Sequence, residues 1–323
     1  MPAIWQRHPR FVCLTIVVVC ALFFTLNSSF SEISSLVVLD DPGLPDRLAR
    51  SGRIYDKVLR DRKQLIKKFG PTPSDIDLFP PNQSPWPAYT VWDFFPAAYN
   101  CPHELVRTGA LGDGGKWVCG LSRVVHKRDC VVYSVGINTE SSFEAEVLTS
   151  TKYCKVWGFD YSVKGFGRQI SLSQSNRVFF KPYLLGKDDK HGPTDNPKAY
   201  TLRSVMEENG HSYIDILKVD IEGWEFDALT AFIQPYLDSD TPLPFGQLQL
   251  EIHLWKDSKH SFARFLEWWE MLEAAGLRPF MTEPNMVYVN YNKGLSSELA
   301  ECSFLNIKGE NIFTHDPRPL GAS

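Results

Sequence analysis

From Cys130 onward, short apolar runs of strand length alternate with segments of helical periodicity. This alternation narrows the fold to an α/β class built on a parallel sheet, because parallel neighbours need a crossover, usually helical, between them. Strands are expected at 130–135, 155–159, 177–185, 214–219 and 247–254, with two closing strands near 286–289 and 301–307. A helix is expected over about 141–150, after a turn at Gly136. A longer one over 261–275 should stop at Gly276, since helices commonly end on a residue without Cβ. Its stripe of Phe262, Phe265, Leu266, Trp269 and Leu272 reads as a core-facing helical surface.

The first hundred residues differ in kind. Arg7, His8 and Arg10 precede an uncharged apolar run of 16 residues, Phe11 to Leu26, and Glu32, Asp40 and Asp41 follow it. That run is shorter than the roughly 20 residues that usually span a bilayer and slightly longer than the roughly 7–15 of a signal-peptide core. No A-x-A-like cleavage site follows Leu26, so residues 1–30 are read as a cytoplasmic tip and a transmembrane signal anchor. Cleavage near the small Ser28 and Ser29 would give a secreted chain instead. Positive charge on the N-terminal flank sends the C-terminal part across the membrane. The expectation is therefore a single-pass type II protein with its catalytic domain in the lumen of the Golgi or ER.

Residues 31–99, rich in proline and polar side chains, read as a stalk containing an amphipathic helix over 47–69 whose charges face solvent. Asn82-Gln83-Ser84 is a glycosylation sequon weakened by Pro85, and Asn27-Ser28-Ser29 lies too close to the membrane to serve. The catalytic domain is then 100–315. A net charge of -4 supplies no basic field for a phosphate backbone, so nucleic acid is not an expected partner.

Of seven cysteines, Cys13 and Cys20 fall in the apolar run. In an oxidising compartment the other five allow pairs and leave one over. Cys101 with Cys119 is the first choice, since both flank a glycine-rich turn. Cys130 and Cys154, in expected strands, are as consistent with buried free thiols. No Cys/His set has zinc spacing, and no metal site is predicted.

Ligands of an open parallel sheet sit beyond the carboxyl ends of its strands. The first strand is followed by Ser134-Val135-Gly136-Ile137-Asn138, a turn with one glycine where a dinucleotide fingerprint has three. Asp160 lies 24 residues after Gly136, at the end of the second strand, where an acid that hydrogen-bonds a ribose diol belongs. Together these favour a nucleoside-containing cofactor. In the fourth strand, alternation puts Lys218, Asp220 and Glu222 on one face; in the fifth it puts Gln247, Gln249, Glu251 and His253 on one face. Strands covered on both sides should be apolar throughout, so the two rows imply a wet cleft or a paired ionic network. Asp113 and Lys116, in the glycine-rich turn, read as parts of a structural turn, and His211 as a loop or core histidine.

Asp215-Ile216-Leu217-Lys218-Val219-Asp220-Ile221-Glu222-Gly223-Trp224-Glu225 resembles the LK-x-D-x-EG-x-E signature of FkbM-type methyltransferases. The chain is also similar to the methyltransferase-like 24 group. The matching pieces are Asp113-Gly114-Gly115-Lys116-Trp117-Val118-Cys119, Tyr133-Ser134-Val135-Gly136 with Ser142-Phe143-Glu144, Gly158-Phe159-Asp160, the signature itself, Glu251-Ile252-His253 and Glu301-Cys302-Ser303-Phe304-Leu305-Asn306. This resemblance implies a Rossmann-like seven-stranded methyltransferase sheet with S-adenosyl-L-methionine as cofactor. It carries cofactor contacts onto Ser134, Gly136, Asn138, Glu144 and Asp160, with Asp220 near the methionine end.

Methyl transfer to a hydroxyl needs alignment and removal of a proton. His253 as a base oriented by a carboxylate is the preferred arrangement, with Glu251, Asp220 and Glu222 around it. A hard divalent ion on Asp220, Glu222 and Glu251 is the alternative. The expected function is O-methylation of a glycan or another secretory-pathway acceptor. Two others stay open: a lumenal glycosyltransferase, with Asp238-Ser239-Asp240 or Asp75-Ile76-Asp77 as metal motif, and a binding protein that kept the fold without catalysis.

Overall fold

The computed structural model describes residues 40–80, 88–255, 260–291, 293 and 296–316. The apolar run Phe11 to Leu26 and both sequons lie outside them. Among the described residues, no helix is long and apolar enough to cross a membrane. Residues 43–315 form one compact unit.

In chain order the unit contains α1 (Leu44–Phe69), β1 (Leu105–Thr108), β2 (Lys116–Cys119), β3 (Val131–Val135), α2 (Ser142–Ser150), β4 (Lys155–Phe159) and β5 (Val178–Lys181). Then come β6 (Leu184–Leu185), β7 (Ala199–Tyr200), α3 (Leu202–Asn209), β8 (Ile214–Val219), α4 (Glu225–Asp238) and β9 (Phe245–His253). It closes with α5 (Phe262–Ala274), β10 (Leu277–Pro284), α6 (Met286–Tyr291) and β11 (Leu299–Asn306). The main sheet has seven strands in the order β10-β11-β9-β8-β3-β4-β5. β11 runs antiparallel to both of its neighbours, while β9, β8, β3, β4 and β5 pair in parallel. Because the chain moves from β3 to β4 on one side and later reaches β8 on the other, the strand order reverses at β3. A crevice at the carboxyl end of the sheet follows from that reversal.

Each face of the sheet is covered by packed side chains. Tyr133, Leu217 and Leu248 pack with α3, α4 and α5, whereas Val132, Ile216 and Leu305 pack with α2, Tyr55 of α1 and Val118 of β2. Two expected strands differ. Residues 286–289 form helix α6, and the sixth strand comes earlier, as β10. Pro279 and Pro284 hide it in the sequence, yet β10 is an edge strand with a register shift between Pro279 and Met281, a setting that tolerates proline. The expected strand over 177–185 ends at Lys181, and Leu184–Leu185 pairs with β7 instead.

The described part of the expected stalk is not a detached spacer. Helix α1 does form, but Tyr55, Arg62 and Ile66 are buried, and Val91, Trp92, Phe94 and Phe95 join the core beside Phe262, Phe265 and Trp269. The expectation of a solvated charge run fails at Arg62, whose guanidinium bonds both oxygens of Glu273 at 2.9 and 2.8 Å. Among the described residues there are two disulfides, Cys101–Cys119 and Cys130–Cys154, with Cα atoms 5.7 and 4.4 Å apart. The first is the expected pair. The second decides the open alternative for Cys130 and Cys154, and Cys302 is the cysteine left over, free and buried.

Candidate active site

A cavity of about 490 Å³ opens at the carboxyl ends of β3, β4, β8 and β9. Its floor begins with the turn after β3. Gly136 has φ +79°, and a Cβ there would lie 1.7 Å from the Asp220 carbonyl oxygen, so only glycine lets the β3 and β8 turns meet. Asn138 follows with φ 49°, a left-handed conformation that asparagine accepts more readily than most residues. Lys218 Nζ donates to the Gly136 carbonyl at 2.6 Å from beneath. Gly136→Ala should cost about 2–3 kcal/mol through strain and overpacking. Its denaturation midpoint would report this, and an unshifted midpoint would mean the two turns do not touch.

Asp160 closes one side. Its Oδ2 accepts from the backbone amides of Ile137 and Asn138 at 2.9 and 2.7 Å, and its Oδ1 from the amide and hydroxyl of Ser162, both at 2.7 Å. Burial alone would raise its pKa, but these donors outweigh burial and hold the carboxyl below the usual aspartate value. Ile137, Phe159, Leu184 and Leu185 add apolar wall nearby. Ser134 and Glu144, both expected as cofactor contacts, do not line the cavity. They lie fully buried below the turn, where the Ser134 hydroxyl donates to Glu144, itself 3.8 Å from Lys218 Nζ. A side chain on the inner part of β3 faces α2 rather than the strand end, so these two support the turn from within.

The other end is ionic. The expected polar rows exist, with Lys218 beside Gln249 in register, but they divide. Gln247 and Gln249 do not face a wet cleft: their side-chain amides bond the backbone of Cys119 and Trp117 in β2, which lies over them. Lys218, Asp220, Glu222, Glu251 and His253 reach the cavity. Lys116, taken from sequence as part of a turn, is fully buried at the start of β2 and pairs with Glu301, with Asp220 at 3.8 Å and Glu251 at 3.9 Å. Asp113 stands at the rim.

His253 is held by a residue that sequence reasoning quoted without giving it a role. Glu225 Oε1, at the N-terminus of α4, accepts from the backbone amide of His253 at 2.8 Å and contacts its Nδ1 at 3.2 Å. Nε2 is thereby turned toward Glu222 Oε2 at 3.6 Å and Asp220 Oδ1 at 3.9 Å. Burial would lower the imidazole pKa, but Glu225, Glu251 and Asp220 raise it to about 9. This runs against His253 as a general base, since a ring protonated at neutral pH has no lone pair to offer. Burial, with Asp220 and Glu301, pushes Glu251 up to about 9, and Asn285 donates to it at 2.8 Å. Burial also works to raise Asp220, but Lys116, Lys218 and His253 keep it low and ionised.

Of the residues singled out from sequence, Gly136, Asn138, Asp160, Asp220, Glu222, Glu251 and His253 thus meet around one cavity. The Asp-x-Asp pairs do not join them: Asp75, Asp77, Asp238 and Asp240 are exposed and away from it. His211, in the loop ahead of β8, is half-buried, contacts Tyr133 Oη at 2.7 Å and packs on Trp157. Tyr183, Trp255 and Tyr288 also line the cavity and carried no local signal.

A seven-stranded, mostly parallel sheet with a glycine turn after one central strand and an acid at the end of the next defines a Rossmann-like methyltransferase fold. The chain belongs to the methyltransferase-domain family Methyltransf_22, whose profile matches residues 59–297. The similarity to the methyltransferase-like 24 group is borne out. A probable methyltransferase-like protein 24 of Rattus norvegicus is 30% identical over 171 residues, 50% of this chain and 44% of that protein. The Homo sapiens counterpart is 28% identical over 170 residues, 50% and 43% of the two chains. The match therefore spans less than half the length of these relatives. Among solved structures, the Methanococcus jannaschii fibrillarin pre-rRNA processing protein is similar with TM-score 0.36 and 12% identity, covering 69% of this chain and 86% of its own. Aeropyrum pernix fibrillarin, in complex with natively bound S-adenosyl-L-methionine, is similar with TM-score 0.33 and 12% identity, covering 56% and 68%.

Proposed function

We propose that this chain is an S-adenosyl-L-methionine-dependent O-methyltransferase acting on a glycan or another hydroxyl-bearing acceptor of the secretory pathway. The observation that carries the reading is the division of one cavity into a nucleoside-like end and an acidic end. At the first, Asp160 sits beside the Gly136 turn and apolar wall. All four acceptor positions of its carboxylate are taken by protein donors, but the Ser162 hydroxyl is a free rotor and can yield Oδ1 to a ribose diol. At the second end, ionised Asp220 suits a positive group.

When bound, the cofactor supplies a methyl group on a positively charged sulfonium. Asp220 attracts and orients that charge, while Lys116 and Lys218 keep Asp220 ionised. Glu225 fixes the ring of His253. The acceptor hydroxyl gives its proton to the carboxylates gathered here, of which Glu222, with a side chain 75% exposed, can pass it to water. Two disulfides within residues 101–154 and the apolar run ahead of the domain support a lumenal setting with the membrane reached through the N-terminal segment.

Calorimetry on the full chain, with S-adenosyl-L-methionine against nucleotide sugars, tests the reading, followed by transfer of labelled methyl to glycan acceptors. Tight binding of a nucleotide sugar alone would overturn it, and cofactor binding without transfer to any hydroxyl acceptor would leave a binding protein. Asp160→Ala should weaken cofactor affinity by on the order of 1–3 kcal/mol. Ser162→Ala should leave affinity equal or tighter, because it removes the competing hydroxyl. Unchanged affinity in Asp160→Ala would reject the ribose role.

A further inference from the structure

Asp220, Glu222 and His253 offer one ligand atom each, all within 4.8 Å of one another, with no salt-bridging lysine at Glu222. Three further features make this more than a cluster of acids. His253 is 1% exposed, and its Nε2 makes no hydrogen bond among the described residues, its nearest acceptors being 3.6 and 3.9 Å away. Those spacings are too long for a hydrogen bond, yet close to the ~3.4 Å that separates ligands each about 2.1 Å from a tetrahedral ion. The other ring nitrogen is held by the buried carboxylate of Glu225, the arrangement that fixes tautomer and direction in histidine ligands of metals. Glu222, a non-glycine residue at φ 55°, lines the cavity beside Asp220 and His253.

We propose that Asp220, Glu222 and His253 bind one divalent cation of the manganese or zinc type, the ion displacing the Nε2 proton of His253 and keeping open positions toward the cavity. Two carboxylate oxygens and one imidazole nitrogen are a mixed donor set that suits such borderline ions better than magnesium, which prefers oxygen alone. The second acidic group, Asp113 with Glu251 and Glu301, is a poorer host, because Lys116 already pairs with two of its three carboxylates. The inference deepens the methyl-transfer reading by giving the acceptor hydroxyl an ion to bind, which would lower the hydroxyl's pKa.

The test does not use the cofactor, so its failure and that of the transferase reading are distinguishable. Full-length chain, stripped with a chelator, is titrated with Mn²⁺ alone by calorimetry and by the loss of the free-ion electron paramagnetic resonance signal, with Zn²⁺ and Mg²⁺ as comparators. One Mn²⁺ per chain is expected, with affinity at least tenfold weaker in Glu222→Gln and in Asp220→Asn. The solvent-exposed Glu222 can be changed without disturbing the core, which a thermal melt checks. Glu225→Gln, which loosens the hold on the His253 ring and keeps an acceptor for the Gly223 amide, should weaken binding tenfold to a hundredfold, whereas Asp113→Asn should leave it unchanged. No binding at millimolar Mn²⁺, or binding indifferent to Glu222→Gln in a folded protein, would overturn the proposal. Binding lost in Asp113→Asn instead would overturn it in favour of the neighbouring group.

Discussion

Glu273→Ala is expected to destabilise the domain by about 3–5 kcal/mol, the usual consequence of removing one partner of a buried ion pair. In α5, Glu273 Oε2 accepts from Arg62 Nη1, while Oε1 accepts from Arg62 Nη2, from Trp269 Nε1 at 3.0 Å and from the Tyr55 hydroxyl. Without the carboxylate, a guanidinium buried among Phe94 and Phe95 keeps only the Phe94 carbonyl, at 2.8 Å. For a domain of this size the melting temperature should fall by roughly 6–20 °C. The double variant Arg62→Met with Glu273→Leu should recover most of the loss, since similar apolar pairs often replace buried ion pairs at little cost. A drop below about 1 kcal/mol in the single variant would mean that α1 is not integral to the domain, restoring the idea of a spacer ahead of residue 100.

Lys116→Met should be comparably damaging, at about 3–5 kcal/mol near neutral pH, because it strips the buried cation from among Glu301, Asp220 and Glu251. Burial by itself would depress the lysine, yet those three carboxylates together hold its pKa above the ordinary value. Glu301 Oε2 is already buried without a hydrogen bond. The pH dependence has a definite sign. Glu251 is held at about 9 with Lys116 beside it, and losing that cation moves Glu251 and Glu301 further up. The folded variant then binds more protons than the unfolded chain between their ordinary and shifted values, so its stability falls as pH rises. Melting curves should show the deficit against the parent smaller near pH 4, where the carboxylates gain protons, and widening as pH rises through about 9, where Glu251 ionises in the parent beside Lys116 but stays protonated in the variant. A deficit that does not vary with pH would remove the carboxylates as its cause.

Much of the fold was legible because periodicity is local. The runs at β3, β4, β8 and β9 declared themselves within a few residues each, and α5 through its stripe. β10 escaped notice because prolines mask an edge strand, and α6 because a short apolar segment has no period long enough to separate helix from strand. Within the site, Gly136, Asp160, Asp220 and Glu222 were found from strand ends. Ser134 and Glu144 were misplaced because sharing a motif does not reveal which way a side chain faces. Glu225 stood inside the quoted signature, three residues beyond Glu222, but its role depends on a partner 28 residues away.

By itself, the sequence determined the α/β sheet, the strand ends that carry chemistry and the family, all properties written in short-range pattern. The tertiary structure decided that a helix expected in a stalk belongs to the core, which depends on Arg62 meeting Glu273 across 211 residues. It also decided that Lys116 leaves its turn to neutralise Glu301, 185 residues away, and that His253 is turned so that Nε2 faces two carboxylates. Charge pairs of that kind leave no periodic trace, because either partner alone, read along the chain, looks like an ordinary solvated side chain. Burial makes such charges costly alone and stable together, and burial exists only once the layers have packed.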